Sequence, residues 1–286
     1  MAVTDLTIMC MYHICVSIVN TGEKDQITQS LRTLFANMEE ADLRVCVVIV
    51  DNGSRDTVEE LEQQFPDVRI IKQEQNEGFG KSHNKAMRAI EAEYYFILNP
   101  DTEFANGGGF LHAMHTYMEQ HLTVGIAGPK ILYPDGSLQY SCYRFPTFLQ
   151  PLYSRTNLGR RGKGKEIADM FLMKDFDHNQ TIPVDWVMGS AMFVRKSAID
   201  RVGMFDDRFW MYAEDSDWCR RMWQHNWEVH YVHHLFIKHS HGRASAKVPG
   251  IITALIKNKY ARAHLISWMK YFWKWRGKPY FSRRND

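Results

Sequence analysis

The chain has 286 residues, of which 45% are apolar and 24% are charged. These fractions are typical of a soluble globular protein and exclude a disordered or collagen-like chain. The net charge is only +2, which excludes a uniformly basic protein and predicts no nucleic acid partner. The charge is unevenly spread, because residues 251–286 alone carry +8, and so basic a segment favours an anionic surface.

Cysteine usage and hydropathy bear on the compartment. Five cysteines occur without a CxxC spacing, so the sequence predicts neither a disulfide framework nor a zinc site. A reducing, cytoplasmic location is the simpler expectation. The first residues lack the basic start of a signal peptide. No apolar run reaches about 18 residues, so no membrane-spanning helix is expected.

The first hundred residues alternate between strand and helix patterns. Apolar and β-branched runs predict strands at 14–19, 45–50, 68–71 and 94–98. Segments with helical periodicity lie between them, at 25–38, 57–65 and 81–92. This alternation is typical of βαβ units, so we expect an α/β fold with a mostly parallel, Rossmann-like sheet flanked by helices.

The second half of the chain is less regular. Strands are predicted at 125–132, 186–194 and 228–232, and helices at 211–226 and 251–275. A stretch rich in loop residues contains the basic run 160–165, which we expect to be a mobile loop that closes over a diphosphate.

Polar residues follow three of the predicted strands. These clusters are Asn20-Thr21, Asp51-Asn52 and Asn99-Pro100-Asp101. Parallel sheets bind ligands beyond the carboxyl ends of their strands, so the clusters predict a binding site there. Taken singly, Asp51 is equally well placed to cap the next helix, and Asn-Pro-Asp is turn chemistry.

The glycine-rich segment 78–82 does not match a phosphate-binding motif. Gly80-Lys81-Ser82 resembles the end of a P-loop, but Gln75 stands where that motif needs glycine. The dinucleotide fingerprint also fails, because it needs Gly or Ala at the position of His83. We expect a turn that starts a helix, with Gly80 bordering a ligand.

Three acids crowd the start of the helix predicted at 211–226. Glu214, Asp215 and Asp217 fall in one turn, where mutual repulsion raises a carboxyl pKa towards that of a general base. The alternative is that they complement the helix dipole, with Asp217 pairing with Arg221. Aromatic neighbours that would enclose a pocket favour the first interpretation.

Asp101 and His239 are candidate metal ligands. Mg²⁺ is often held by one or two carboxylates together with substrate phosphates, and imidazole is a common ligand of transition metals. Taken alone, each is more often an ordinary turn or surface residue.

The C-terminal segment predicts a helix with one aromatic face. That face consists of Trp268, Tyr271, Phe272 and Trp275, with Lys270 and Lys274 away from it. Such a helix lies in a bilayer interface beside anionic headgroups, or packs on the protein core. The excess positive charge favours the membrane.

Seven segments, in order, resemble motifs of glycosyltransferase family 2, which has the GT-A fold. They are 16–20 (VSIVN), 50–54 (VDNGS), 76–80 (NEGFG) followed by Asn84, 98–101 (LNPD), 188–191 (MGSA), 205–206 (FD) and 212–221 (YAEDSDWCRR). The resemblance covers roughly 14–242. It is nearest to bacterial rhamnosyltransferases of O-antigen or cell-wall polysaccharide assembly, which transfer L-rhamnose from dTDP-rhamnose to a GlcNAc-diphosphate-polyprenol lipid. Asn99 and the segment 184–190 favour that branch.

The resemblance implies a role for individual residues. The nucleotide-sugar donor would be bound by Asn20, Thr21, Asp51, Asn52, Gly80, Asn99 and Asp101. Asp101 and His239 would hold Mg²⁺ or Mn²⁺, and Asp215 would be the catalytic base. The acceptor would contact Trp186, Gly189, Ser190 and Glu214. Asn99 departs from the family's Asp-x-Asp motif; the amide is compatible with a dTDP donor and leaves UDP sugars open.

The sequence thus predicts a metal-dependent, inverting glycosyltransferase with a dTDP- or UDP-sugar donor and a polyprenyl-diphosphate-linked acceptor. We expect an N-terminal extension at 1–13, a GT-A domain at 14–245 and a basic aromatic helical tail at 246–286. The tail would make the enzyme peripheral at the inner face of the cell membrane. The alternatives are a family 2 transferase with another donor (UDP-hexose, UDP-GlcNAc or a furanose) and a non-catalytic nucleotide-binding module.

Overall fold

The computed structural model describes residues 12–38, 43–56, 58–104, 108–150, 153, 159, 161–240, 253 and 256–279. The first elements confirm the predicted alternation. They are β1 (Tyr12–Asn20), α1 (Lys24–Met38), β2 (Val45–Asn52), α2 (Glu60–Gln64), β3 (Val68–Gln73), α3 (Phe79–Ala89) and β4 (Ala92–Leu98). The helix predicted to reach position 92 ends at Ala89, because Ala92 already opens β4.

The remaining elements form the more irregular half. They are β5 (Thr102–Phe104), α4 (Phe110–Gln120), β6 (Val124–Leu132), β7 (Leu138–Gln139), β8 (Cys142–Tyr143), α5 (Gly162–Phe171), β9 (Ile182–Pro183), β10 (Trp186–Val187), β11 (Ala191–Arg195), α6 (Lys196–Val202), α7 (Glu214–Gln224), β12 (Glu228–His239) and α8 (Lys259–Trp275). The sequence patterns did not indicate helices α4 and α6 or the short strands β5, β7, β8 and β9.

Two expectations for this half are wrong. The strand predicted at 186–194 is two strands, because residues 188–190 turn between β10, which pairs with β8, and β11, which joins the main sheet. The basic run predicted as a loop largely enters helix α5, where Lys165 pairs with Asp169 one turn later. Arg160 lies outside the described residues, and the proposed closure over a diphosphate has no support here.

The main sheet is mixed: β1 to β4 are parallel to one another, as predicted, whereas several later strands pair antiparallel. Its strand order is β3-β2-β1-β4-β11-β6-β12-β5. Strand β11 runs antiparallel to both β4 and β6, and β12 runs parallel to β6. The strands β1 to β4, β6 and β12 therefore point the same way, and their carboxyl ends meet at one edge.

Helices cover both faces of this sheet. Alternate residues of β1 point to opposite sides: Ile14 and Val16 pack with α1 and α4, whereas Cys15 and Val19 pack in the cluster that contains residues of α3, α6 and α7. The apolar runs read from the sequence are buried on both sides, which is the environment of a central parallel strand.

Helix α8 packs on the body of the protein. Tyr271 and Trp275 are buried against Phe209, which lies before α7. The aromatic face predicted for the membrane is therefore partly turned inwards. Within the described part of the chain, no helix is both long and apolar enough to cross a bilayer.

Candidate active site

The ends of β1 and β2 form a polar corner. Asn20 and Asp51 are register partners in these parallel strands. The Asn20 amide nitrogen donates to Asp51 Oδ1 at 3.1 Å and to Ser54 Oγ at 2.9 Å. Both Asn20 and Asp51 are buried. The structure thus brings together two residues predicted to bind the donor nucleotide.

The other predicted donor residues of this region have structural contacts. Thr21 Oγ1 donates to the Glu23 carboxylate at 2.9 Å. Asn52 Oδ1 accepts the backbone N–H of Glu77 at 2.8 Å, which ties β2 to the turn before α3. Gly80 packs so tightly that an added Cβ would lie 2.9 Å from Phe205 Cβ. For these three residues donor binding stays a prediction.

The turn before α3 requires a glycine, because of both its backbone conformation and the close approach of a neighbouring segment. Gly78 has a φ of 96°, and a Cβ there would lie 2.1 Å from the backbone oxygen of Trp210. That same oxygen accepts the N–H of Phe79 at 2.9 Å. The segment 76–80 thus packs against the loop before α7, to which Trp210 belongs.

The ends of β4 and β12 bring the predicted metal ligands together. His239 is the last residue of β12, and it lies opposite Thr102 of β5. Its Nε2 atom is 3.2 Å from Asp101 Oδ1 and 3.1 Å from Asn99 Nδ2. His241, two residues further along the chain, lies outside the described residues.

A carboxylate and an imidazole at this spacing suit a divalent cation. Adjacent ligands of an octahedral ion, each about 2.0–2.1 Å from it, are about 3 Å apart. Among the described residues, no group of three or more His, Cys, Asp or Glu is arranged to hold a metal. A cation at Asp101 and His239 would thus draw its other ligands from water and a bound diphosphate.

A cleft of about 370 Å³ borders Asp101. It lies between the start of α1 and residues 101–103, with Ser240 at its edge. Asp101 lines this cleft, and Asp215 does not.

The predicted base, Asp215, lies in the first turn of α7. Its Oδ2 accepts the N–H of Gly189 at 3.0 Å, and its Oδ1 accepts the N–H of Ser216 at 2.8 Å. The turn at 188–190 therefore places a backbone N–H against this carboxylate. The neighbouring Ser190 oxygen accepts the N–H of Asn99 at 2.9 Å. Two short contacts thus connect the segment of Asp101 with Asp215.

The two acids that start α7 have different electrostatic surroundings. Burial raises the pKa of Asp215 above its usual 3.8, although the N–H groups of Gly189 and Ser216 oppose this by stabilising the carboxylate. Burial, together with the negative charge of Asp215, raises the pKa of Glu214 to about 8. Burial and the neighbouring charge thus favour the protonated form of Glu214, whereas the two N–H groups favour the charged form of Asp215.

Two buried polar atoms at this point lack a partner within the described chain. They are Ser190 Oγ and Glu214 Oε2. An unsatisfied buried polar group disfavours the fold, so such groups call for an explanation. A bound sugar, which is rich in hydroxyl groups, would supply both partners.

The backbone before α7 is strained. Tyr212 and Ala213 have φ values of 69° and 67°, a region that side chains other than glycine rarely occupy. Strain of this kind is retained where surrounding contacts hold it, and it clusters at functional sites. Nothing in the sequence YAED indicated it.

Trp186 belongs to a small aromatic stack. Its ring stacks on Tyr143 with centroids 4.4 Å apart, and its Nε1 donates to the Arg144 oxygen at 3.0 Å. Tyr143 is a neighbour that sequence reasoning missed. Acceptor binding by Trp186 and Gly189 stays a prediction.

Comparisons with known proteins agree with this architecture. The model of the family Glycosyl transferase family 2 matches residues 14–202. The model of Glycosyl transferase family group 2 matches residues 155–277. The first match alone covers more than half of the chain.

Individual relatives are similar at modest identity. N-acetylglucosaminyl-diphospho-decaprenol L-rhamnosyltransferase of Mycobacterium tuberculosis is 27% identical over 72% of this chain and 69% of its own. The dTDP-rhamnosyl transferase RfbF of Shigella flexneri is 27% identical over 77% of this chain and 69% of its own. The mannosyltransferase PcManGT of Pyrobaculum calidifontis, solved with GDP-Man and Mn²⁺, superimposes with a TM-score of 0.56 at 14% identity, covering 92% of this chain and 70% of that one. This likeness confirms the GT-A fold.

Proposed function

The chain belongs to glycosyl transferase family 2, and from that premise we propose that it transfers L-rhamnose from dTDP-rhamnose to a GlcNAc-diphosphate-polyprenol lipid with inversion. The observation that carries the catalytic part is Asp215, a half-buried carboxylate held by two backbone N–H groups beside Glu214, whose pKa is raised to about 8 by burial. The donor and acceptor are suggested by the two relatives named above.

The proposed reaction is a single displacement. Asp215 takes the proton of an acceptor hydroxyl while the acceptor oxygen forms a bond to the anomeric carbon. The bond from that carbon to the diphosphate oxygen breaks, and its electron pair leaves with dTDP. The products are the glycoside, dTDP and a protonated Asp215, which returns its proton to solvent. The protonated Glu214 can donate a hydrogen bond to the sugar.

Asp101 and His239 are the residues proposed to hold Mg²⁺ or Mn²⁺. When bound, the cation supplies Lewis-acid stabilisation of the leaving diphosphate. The spacing of Asp101 Oδ1 and His239 Nε2 supports this assignment. Asn99 reaches His239 with its neutral amide, so Asn99 adds no charge to the cation site.

A donor and acceptor screen tests the proposal. The full chain is incubated with a GlcNAc-diphosphate-lipid, Mn²⁺ and one of dTDP-rhamnose, UDP-galactose, UDP-GlcNAc or a UDP-furanose, and products are identified by mass spectrometry. We expect rhamnosyl transfer only from dTDP-rhamnose, and its loss in Asp215→Asn. Transfer from a UDP sugar instead would establish the alternative donor. Nucleotide binding without turnover of any donor would establish a non-catalytic module.

We also propose a peripheral position at the inner face of the cell membrane. A polyprenol-linked acceptor resides there, and α8 offers a surface for it, but not the predicted one. Since Tyr271 and Trp275 are buried, the proposed contact surface is the opposite face of α8, here named the outer face. Its apolar members are Leu265, Ile266, Met269 and Trp273, and its basic members are Arg262, Lys270 and Arg276, all of them exposed.

A further inference from the structure

His239 has a defined hydrogen-bond environment on both sides of its ring. The side chain is 1% exposed. Its Nδ1 atom lies 2.6 Å from Oε1 of Gln139, and its Nε2 atom faces Asn99 and Asp101. The contact with Gln139 spans 100 residues of sequence and comes about because β7 and β12 both pair with β6.

The contact with Gln139 selects one tautomer of His239. An amide oxygen only accepts hydrogen bonds, so the ring proton belongs on Nδ1. A neutral imidazole with its proton on Nδ1 presents a lone pair at Nε2. Nε2 faces the Asn99 amide nitrogen, a donor, at 3.1 Å and the Asp101 carboxylate, an acceptor, at 3.2 Å. A lone pair at Nε2 suits the first contact directly, and it suits the second when a cation lies between the ring and the carboxylate.

Gln139 itself is held firmly for this contact. It is 3% exposed, and its backbone pairs with Ile131 of β6. Its amide nitrogen is buried and has no partner within the described residues. Burying this donor without a partner is unfavourable, and an apolar side chain at position 139 would avoid that cost. The contact of the amide oxygen with His239 is the interaction that an apolar side chain could not make.

We propose that Gln139 is a positioning residue for the cation site: it holds His239 in the tautomer whose Nε2 lone pair faces a divalent cation beside Asp101. This inference rests on the metal-dependent transfer proposed above. Partners that orient a ligating histidine through its other ring nitrogen are a general feature of metal sites, and losing one lowers metal affinity by about 10–100-fold.

Two variants of Gln139 separate positioning from packing. Gln139→Leu removes the acceptor and keeps a side chain of similar size. Gln139→Glu keeps an acceptor at the same place. Thr181→Val is the matched control, because Thr181 Oγ1 lies 3.1 Å from Nδ1 of His233, another histidine of β12.

The first readout needs neither metal nor substrate. In ¹⁵N-histidine spectra of the wild-type chain without metal, we expect His239 to carry its proton on Nδ1. In Gln139→Leu we expect the proton to move to Nε2, where Asp101 can accept it. A wild-type His239 with its proton on Nε2 overturns the proposal, and it does so even if Gln139→Leu fails to fold.

The second readout is the affinity for Mn²⁺ in the presence of dTDP. It is measured from the electron paramagnetic resonance signal of free Mn²⁺. We expect Gln139→Leu to weaken binding about 10–100-fold, Gln139→Glu to restore it to within a few-fold, and Thr181→Val to leave it unchanged. Equal Mn²⁺ affinity of folded Gln139→Leu and wild type overturns the positioning role. If the wild-type chain binds Mn²⁺ and dTDP but transfers no sugar, the proposed reaction is contradicted and the role of Gln139 is unaffected.

Discussion

At the scale of single residues, Asp215 carries most of the proposed chemistry. Its carboxylate accepts N–H groups from Gly189 and Ser216, which fixes its direction without a charged partner. Burial keeps its proton affinity above that of a free aspartate, as a general base requires. The position of the group and its proton affinity therefore have separate physical origins.

We expect Asp215→Asn to lower kcat by about 10²–10⁴-fold, the usual contribution of a positioned base. The dissociation constant of dTDP, measured by calorimetry, should change less than about threefold, which is under about 0.7 kcal/mol. The reason is that in the proposed reaction Asp215 contacts the acceptor hydroxyl and not the nucleotide. Asp200→Asn, at an exposed aspartate, is the control and should retain wild-type turnover. Near-normal turnover in Asp215→Asn would show that another group is the base.

Glu214 makes stability depend on pH in a predictable direction. Its folded pKa, about 8, is higher than the ordinary value of 4.5, so the folded chain binds this proton more tightly than the unfolded chain. The free energy of unfolding should therefore fall as the pH rises from about 4.5 to about 8. In Glu214→Gln this part of the decline should disappear. Urea unfolding at pH 5, 6, 7 and 8 measures both chains; parallel curves would contradict the assignment.

At the scale of elements, helix α8 braces the helix that bears the base. Asp217, which is fully buried in α7, accepts from Arg221, Lys274 and Trp275. Ser267 Oγ donates to the Met211 oxygen at 2.8 Å, in the strained loop just before α7. The predicted pair of Asp217 and Arg221 is confirmed at 2.9 Å, but it is one part of a larger network. The brace holds the start of α7 from outside the catalytic residues.

Lys274→Met should lower the free energy of unfolding by about 1–3 kcal/mol, because it leaves the buried carboxylate of Asp217 and the half-buried carboxylate of Asp206 with fewer donors. The control is Lys196→Met, which removes the ion pair with Asp200. One member of that pair is largely exposed, so we expect less than about 0.5 kcal/mol there. Equal losses in urea unfolding would show that the network contributes no more than a surface pair.

At the scale of the whole molecule, α8 has two roles that its amphipathic sequence could not separate. One face is buried against the body of the protein, and the outer face carries the exposed apolar and basic residues. Removing residues 251–286 is therefore a poor test of membrane binding, because it also deprives Asp217 of two partners. Substitutions on the outer face leave that network in place.

The double variant Met269→Ser with Trp273→Ser should weaken binding to vesicles containing phosphatidylglycerol by at least about tenfold, since burying each large apolar side chain is worth about 1.5–3 kcal/mol. Leu122→Ser is the matched control, because Leu122 is 68% exposed and Trp273 is 66% exposed. Neutral vesicles should bind the wild type more weakly than anionic ones. Equal co-sedimentation of the double variant and wild type would show that the outer face does not contribute to membrane binding.

Local pattern in the sequence was enough to predict the strands of the first half, the polar clusters at their ends and the acids that begin α7. Each depends on periodicity, turn chemistry or helix-end electrostatics within about ten residues. The order of these motifs also indicated the family, which the family model confirms. The site residues Asn20 and Asp51 are brought together because neighbouring parallel strands end at one edge of the sheet. Asp101 and His239 meet because β5, which follows Asp101, pairs antiparallel with the end of β12.

Only the tertiary structure decided the contacts between distant segments. It placed Gln139 on His239, split the strand predicted at 186–194 so that Gly189 faces Asp215, and turned Tyr271 and Trp275 inwards. The two hydrogen bonds span 100 and 26 residues. No local pattern specifies such contacts, because they depend on strand order, on register and on which face of a helix finds a complementary surface.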